Sequence, residues 1–268
     1  MTLSVEIGAG SIDITATTTD RTEVELVPAR ADDADAIALI EQTQITHRGD
    51  TVAVHVPSGR RSGFLRRTPE IVARISAPEG SKLEASVRSA DVRCRGRLGD
   101  ARVSSSSGDV SLGEVDGNLR SNAASGDLHV DVCGGDVWAQ SASGDIRLGA
   151  VAGDAEVKTA SGDVTIDAAG RSATIRTASG DVCVDGICAG RTSITGVSGD
   201  VRTSVVPGMA VWLDVNTLSG DVHSTLDPPT NEIPSEQTLE LAIQTVSGDI
   251  AITTGARRAD CPTRKDTP

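Results

Sequence analysis

Residues 159–184 read TASGDVTIDAAGRSATIRTASGDVCV, and the opening pentad returns intact 18 residues later, at 177–181. Upstream, Ser-Gly-Asp occurs at 143–145, 125–127 and 107–109, always at the same 18-residue step. Downstream it returns after 19 residues at Ser198, after 21 at Ser219 and after 28 at Ser247. A weaker echo sits nine residues out of phase, at Gly99-Asp100, Gly117-Asn118, Gly135-Asp136 and Gly153-Asp154. A period this strict marks a solenoid, in which each repeat is one structural unit stacked on the next.

Counting the serine as position one, positions four and six are apolar in every regular repeat: Val110 and Leu112, Leu128 and Val130, Ile146 and Leu148, Val164 and Ile166, Val182 and Val184. Positions 13 and 15 repeat the alternation after the second glycine, as in Val137 and Ala139 or Ala173 and Ile175. Residues two apart share a strand face, so each repeat reads as two short strands with inward apolar pairs, joined by two tight turns. Successive coils must pair in parallel to satisfy their backbone groups. The expected fold is all-β, a single-domain parallel β-solenoid with about 18 residues per coil in two nine-residue half-coils, plus one short capping helix. Tyr 0, Phe 1 and Trp 2 fit a core two strands thick.

The turn letters have their own chemistry. Glycine supplies backbone angles closed to other residues, and aspartate can bond nearby amides. The structural ladder is therefore expected at Gly108 and Asp109, Gly126 and Asp127, Gly144 and Asp145, Gly162 and Asp163, Gly180 and Asp181, and Gly199 and Asp200. Its carboxylates stack once per coil, about 4.8 Å apart, and repel by about 1 kcal/mol per pair in water. Hydrogen bonds from turn amides and serine hydroxyls offset this, or cations do. The calcium-binding β-roll is the rival, but its paired glycines are missing and each aspartate here directly follows glycine. Turn-capping is favoured; no metal or cofactor is expected.

The chain outside the regular array, which spans 93–205, is less even. Irregular N-terminal coils occupy 1–92, with Val5, Ile7, Ile12 and Ile14 alternating around Gly8 and Gly10. Residues 32–41 read as a helix with an acidic first turn and Ile37 and Ile40 on one face, expected to cover the open end of the stack. The loop 58–69 carries Arg60, Arg61, Arg66 and Arg67 around Phe64. It reads as a solvated loop or as a docking loop for an acidic partner, this chain's own acidic edge included. Irregular C-terminal coils fill 206–255, interrupted by a Pro-rich loop at 227–237, and 256–268 reads as a disordered polar tail. The solenoid as a whole is expected over 1–255.

Composition narrows the function classes. The 268 residues carry a formal charge of −13, which opposes nucleic acid and anionic membranes as partners. No basic segment followed by an apolar run opens the chain, and no apolar run reaches transmembrane length, so a cytoplasmic protein is expected. Five cysteines (Cys94, Cys133, Cys183, Cys188 and Cys261) form no CxxC pair and read as reduced thiols, with Cys261 a candidate free thiol. Four histidines (His47, His55, His129 and His223) are scattered, and only His129 lies inside the regular array. Neither a nucleophile elbow nor a clustered carboxylate pair stands out from the repeat, so no enzyme is expected.

The SASGDV and TASGDV units, the GSIDI opening and the closing VSGDIAI resemble the bacterial β-strand-repeat family of adhesins called domain of unknown function 4097. The resemblance runs from about Val5 to Thr254. It implies a repeat fold and an adhesin-like role, with no catalytic residues to carry over. The function read here is a non-enzymatic, rigid scaffold or binding module, a monomer or small homo-oligomer. Its side faces present Lys158, Thr159, Arg176 and Thr177 to an unknown protein or glycan. The alternative is a self-assembling, filament-forming β-helix protein. A calcium-binding β-roll-like protein and a glycan-active enzyme are the remaining readings.

Overall fold

The 18-residue period becomes a hydrogen-bonding register. In the computed structural model, Val137 lies beside Ala155 and Ala155 beside Ala173, while Ile146 lies beside Val164 and Val164 beside Val182. Each step is one repeat, and every one of these pairings is parallel. The structure describes residues 1–57, 68–226 and 238–255, and the chain divides into two compact units, Met1–His129 and Val130–Pro268. The fold is an all-β parallel solenoid.

The first unit contains β1 (Thr2–Thr17), β2 (Glu23–Pro28), α1 (Ala34–Gln42), β3 (Gln44–Arg48), β4 (Thr51–His55), β5 (Ile71–Pro78), β6 (Ser81–Ser105), β7 (Val110–Val115) and β8 (Leu119–Ser125). The strand β9 (Leu128–Cys133) carries the chain into the second unit. There follow β10 (Val137–Ser143), β11 (Ile146–Val151), β12 (Ala155–Ser161), β13 (Val164–Ala169), β14 (Ala173–Ser179) and β15 (Val182–Ile187). The last six are β16 (Arg191–Thr195), β17 (Val201–Val205), β18 (Ala210–Ser219), β19 (Val222–Ser224), β20 (Thr238–Ser247) and β21 (Ile250–Thr254).

Coil order in the first unit departs from chain order. The opening strand β1 pairs with β6 on one edge and with β4 and β5 on the other, all in parallel. It is therefore an interior coil, and Leu3, Val5, Ile7, Ile12 and Ile14 are fully buried. The coil made by β4 and β5 lies outside it. Its outer edge is covered by antiparallel strands, β2 on β5 and β3 on β4. The expected helix forms, two residues later than read at its start, with Asp33 as N-cap accepting from the Ala36 amide at 3.0 Å. It packs on β2, so strands, with the helix behind them, close this edge. Ala36 is the buried helix residue and Ile37 faces solvent, because a nine-residue helix laid on one edge strand needs only a narrow apolar contact.

The second unit stacks β10, β12, β14 and β16 in one row and β11, β13, β15 and β17 in the other. Positions four, six, 13 and 15 face inward as the alternation requires: Ile146, Leu148, Val157, Val164, Ile166, Ile175, Val182 and Val184 are all buried. After Val205 the order changes. The final strands, β20 and β21, pair directly on β16 and β17, and β18 and β19 lie outside them. The coil at 238–254 is thus interior and the earlier coil at 210–224 is outermost. Side chains explain the exchange, since Leu239, Leu241, Ile243, Ile250 and Ile252 form a fully apolar set that is fully buried. The 28-residue interval between Ser219 and Ser247 gives the chain length to cross over. No helix among the described residues is long and apolar enough to cross a membrane.

Candidate functional site on the outer faces

The Ser-Gly-Asp turns build a ladder between coils. In the second unit the amide of Asp163 donates to Asp145 Oδ1 at 3.0 Å, that of Asp181 to Asp163 Oδ1 at 2.8 Å, and that of Asp200 to Asp181 Oδ1 at 2.8 Å. The series continues through Asp249 on Asp200 at 3.0 Å and Asp221 on Asp249 at 2.9 Å. The first unit repeats it, with Asp109 on Asp91 at 3.1 Å and Asp127 on Asp109 at 3.0 Å. Each carboxylate therefore caps the amide of the neighbouring coil's aspartate, one residue type serving as donor backbone and acceptor side chain. A charge-assisted bond of this kind offsets the repulsion between stacked carboxylates.

Arginines at position five contribute as well. Arg93 donates to Asp91 at 2.9 Å, Arg147 to Asp145 at 3.1 Å and Arg202 to Asp200 at 3.3 Å. The weaker echo forms a second, shorter ladder, with Asn118 on Asp100 at 3.0 Å, Asp154 on Asp136 at 3.0 Å and Ser172 on Asp154 at 3.2 Å. The ammonium of Lys82, 2.8 Å from Asp100, and the Asn118 amide together hold the Asp100 carboxyl below the usual aspartate range. No group of three or more His, Cys, Asp or Glu side chains among the described residues is arranged to hold a metal ion.

Glycine is required at these turns for two reasons. Gly162 and Gly180 adopt φ of 136° and 131°, and a Cβ on Gly180 would lie 2.2 Å from the carbonyl oxygen of Gly162 one coil away. The backbone must be bare for the coils to approach this closely.

One outer row of the second unit is polar and continuous. Gln140, Lys158, Arg176, Thr195, Gln244 and Asn216 are register partners in succession across β10, β12, β14, β16, β20 and β18. The spacing is one side chain per coil, about 4.8 Å. Lys158 pairs with Glu156, which holds the Glu156 carboxyl below its ordinary range. Half-buried Trp138 lies beside Glu156 in the adjacent row.

Thr159 and Thr177 do not belong to this face. Both are buried, and their hydroxyls, like that of Ser141 in the same inward row, have no hydrogen-bond partner. The alternation from Ile175 puts Thr177 inside, so strand parity overrides the polar character of the side chain. Trp212 points outward and is exposed. Arg60, Arg61, Phe64, Arg66 and Arg67 lie outside the described residues.

Cys94, Cys133 and Cys183 are free thiols, as read, and Cys261 lies outside the described residues. Burial pushes the Cys94 thiol up to about 12, and burial followed by nearby Asp185 raises that of Cys183. A thiol so shifted stays protonated and unreactive near neutral pH.

The family model Toastrack DUF4097 matches residues 2–253. The chain belongs to the Toastrack family, DUF4097. Solved structures similar to this Toastrack chain include a "putative adhesin" from Bacteroides fragilis, 14% identical over 94% of this chain and 91% of that one, TM-score 0.37. A "putative adhesin" from Parabacteroides distasonis is 9% identical over 92% and 91%, TM-score 0.36. A "putative cell adhesion protein" from Clostridium sporogenes is 12% identical over 94% and 92%, TM-score 0.26. None of the curated proteins matches it. Membership rests on the match over 2–253.

The Toastrack repeat contains one row that the motif reading passes over. The residue preceding each Ser-Gly-Asp turn in the second unit is Ala142, Ala160, Ala178, Val197, Val246 and Leu218 in order of stacking, and all six are exposed. The signal is in the sequence, since these positions are apolar in every repeat of the second unit and alternate in parity with the inward row.

Proposed function

We propose that this Toastrack chain is a non-enzymatic scaffold that binds an extended partner along the outer face of its second unit. The observation that carries the reading is the uninterrupted row of Gln140, Lys158, Arg176, Thr195, Gln244 and Asn216, which offers hydrogen-bonding side chains at a fixed interval and no carboxylate. A row held by main-chain ladders has its backbone preorganised, so little backbone entropy is lost when it is bound. The amide-to-carboxylate ladder supports the same reading, because it assigns the aspartates to holding coils together. An adhesin-like role is part of this reading, with a surface glycan as the partner best suited to a polar, periodic row.

The test is a glycan microarray read with the full chain and with its Arg176→Glu and Lys158→Glu variants. Binding to one glycan class that both substitutions abolish is the expected result. No binding, or binding indifferent to both charges, overturns the assignment of this row.

A further inference from the structure

Among the described residues, the outermost coil of the second unit leaves a strand edge without a neighbour. Among the described residues β18 pairs only with β20, and β19 only with β21. The backbone groups on the opposite edge of both strands therefore face away from the stack. The register of β18 on β20 keeps one offset from Ala210 to Ser219, so this edge runs for ten residues, about 33 Å.

Its side chains are unlike those of the inner coils. Where the inward residues of β20 are fully buried, Leu213 of β18 is 39% exposed and Val222 of β19 is 49% exposed. On the outward side Trp212 is 54% exposed and Leu218 is 83% exposed. Nine large apolar side chains are exposed among the described residues, and six lie on the three coils nearest this edge: Val197, Trp212, Leu213, Leu218, Val222 and Val246. The exposed row of alanines ahead of the Ser-Gly-Asp turns enlarges to valine, valine and leucine on these same coils. Exposed apolar surface is thus concentrated at one place, which marks it as an interface.

Edge strands that must stay single are normally blunted by lysine, proline, bulges or charge. The outer strands of the first unit follow that rule: β2 is six residues with Glu23, Glu25 and Pro28, and β3 is five residues with His47 and Arg48. In contrast, β18 has no lysine, proline or bulge and a single charge, Asp214, and β19 has no charged residue besides the titratable His223.

We infer that this edge is the two-fold interface of a homodimer, β18 pairing antiparallel with β18 of a second copy. Three observations select a second copy as the occupant. The chain carries a formal charge of −13, so two copies can approach only where charge is sparse, and this edge is such a place. The edge is also self-complementary. A two-fold axis at Leu213 sets Val211 opposite Val215 of the second copy and Leu213 opposite its counterpart, continuing the inward apolar row across the junction. The same register puts Asp214 opposite Trp212 of the second copy, so the two aspartates do not meet. Finally, the blunted strands of the first unit offer no matching edge, so open-ended head-to-tail growth is not available and the assembly closes at two. This edge shares only Asn216 with the polar row proposed for partner binding.

Sedimentation velocity of the full chain over a wide concentration range tests this, alongside Trp212→Glu and Leu218→Lys variants. Both substitutions are on exposed side chains, so circular dichroism spectra should match the parent, as should melting temperatures taken at concentrations where all three chains are monomeric. The expected result is a reversible monomer–dimer equilibrium that each substitution weakens at least tenfold. A parent that stays monomeric, a dimer indifferent to both substitutions, or polymers without an end point each overturn the proposal. A chain ending at residue 255 separates the remaining occupant: if it dimerises and the full chain does not, residues 256–268 take the edge and the second copy is excluded.

Discussion

Replacing Gly180 by alanine probes the closeness of the coils directly. The added Cβ would lie 2.2 Å from the Gly162 carbonyl oxygen and 2.7 Å from its carbon, at a φ of +131°. An ordinary contact requires the two turns to separate by roughly 1 Å, which is enough to take neighbouring hydrogen bonds out of range. Three such bonds cross this step: Gly162 N–H to the Ser179 carbonyl at 3.1 Å, Val164 N–H to the Asp181 carbonyl at 2.9 Å, and Asp181 N–H to Asp163 Oδ1 at 2.8 Å. Losing two at about 1 kcal/mol each, with about 1–3 kcal/mol of backbone strain, gives about 3–5 kcal/mol of destabilisation. Gly80 is the control, because its φ is +74° and nothing lies within 4 Å of its Cβ position. Alanine there should cost about 1–2 kcal/mol, the left-handed conformation alone. Urea melts of the parent and both variants measure the difference. If Gly180→Ala costs no more than Gly80→Ala, the coils are not in the contact described and the reasoning fails.

Thr159→Val and Thr177→Val should each raise stability by about 1 kcal/mol, because each removes a buried hydroxyl without a partner; a lower urea midpoint would show that the hydroxyl is bonded. Asp163→Ala should lower stability by about 1–2 kcal/mol by leaving the Asp181 amide without its acceptor, and Asp163→Asn should lose less. Parent melts with calcium and with chelator should superimpose, and a calcium-dependent rise would replace turn-capping with a cation site. Asp100 titrates below its ordinary range in the folded chain, so the stability it supplies is present at neutral pH. That stability is lost as pH falls from the unfolded carboxyl value through the folded one. Asp100→Asn should flatten this acid limb of the melting-temperature profile, and an unchanged limb would assign the acid sensitivity elsewhere.

The regular array was legible because period and parity act together. An 18-residue repeat with apolar residues at positions four, six, 13 and 15 permits one stacking, and Ile146, Leu148, Val164 and Ile166 are buried as read. The Ser-Gly-Asp turn was legible by residue type, yet its bonding was not. An aspartate can cap an amide in its own turn or one a coil away, and only the stacking distance selects the second. Thr159 and Thr177 were misplaced because a hydroxyl suggested solvent where strand alternation required the core. Coil order at both ends was hidden for a different reason. Parallel pairing is decided by burial among competing coils, and nothing local in 210–224 or 238–254 states which of them takes the interior. The exposed alanine-to-leucine row was visible but lay outside the motif that drew attention.

Two segments end up inside coils that are not their sequence neighbours: β1 between two coils that follow it, and β20 with β21 between two that precede them. Winding in chain order therefore fails at both places. The coil at 210–224 has to wait, or give way, until residues 238–254 are made and slotted in beneath it. A product stopped before residue 238 lacks the layer that joins 191–205 to 210–224. Copies of the 18-residue unit can instead be gained or lost between these coils without disturbing either. Variation in length among such chains should accordingly fall between the turns at 107 and 198, in whole multiples of the period.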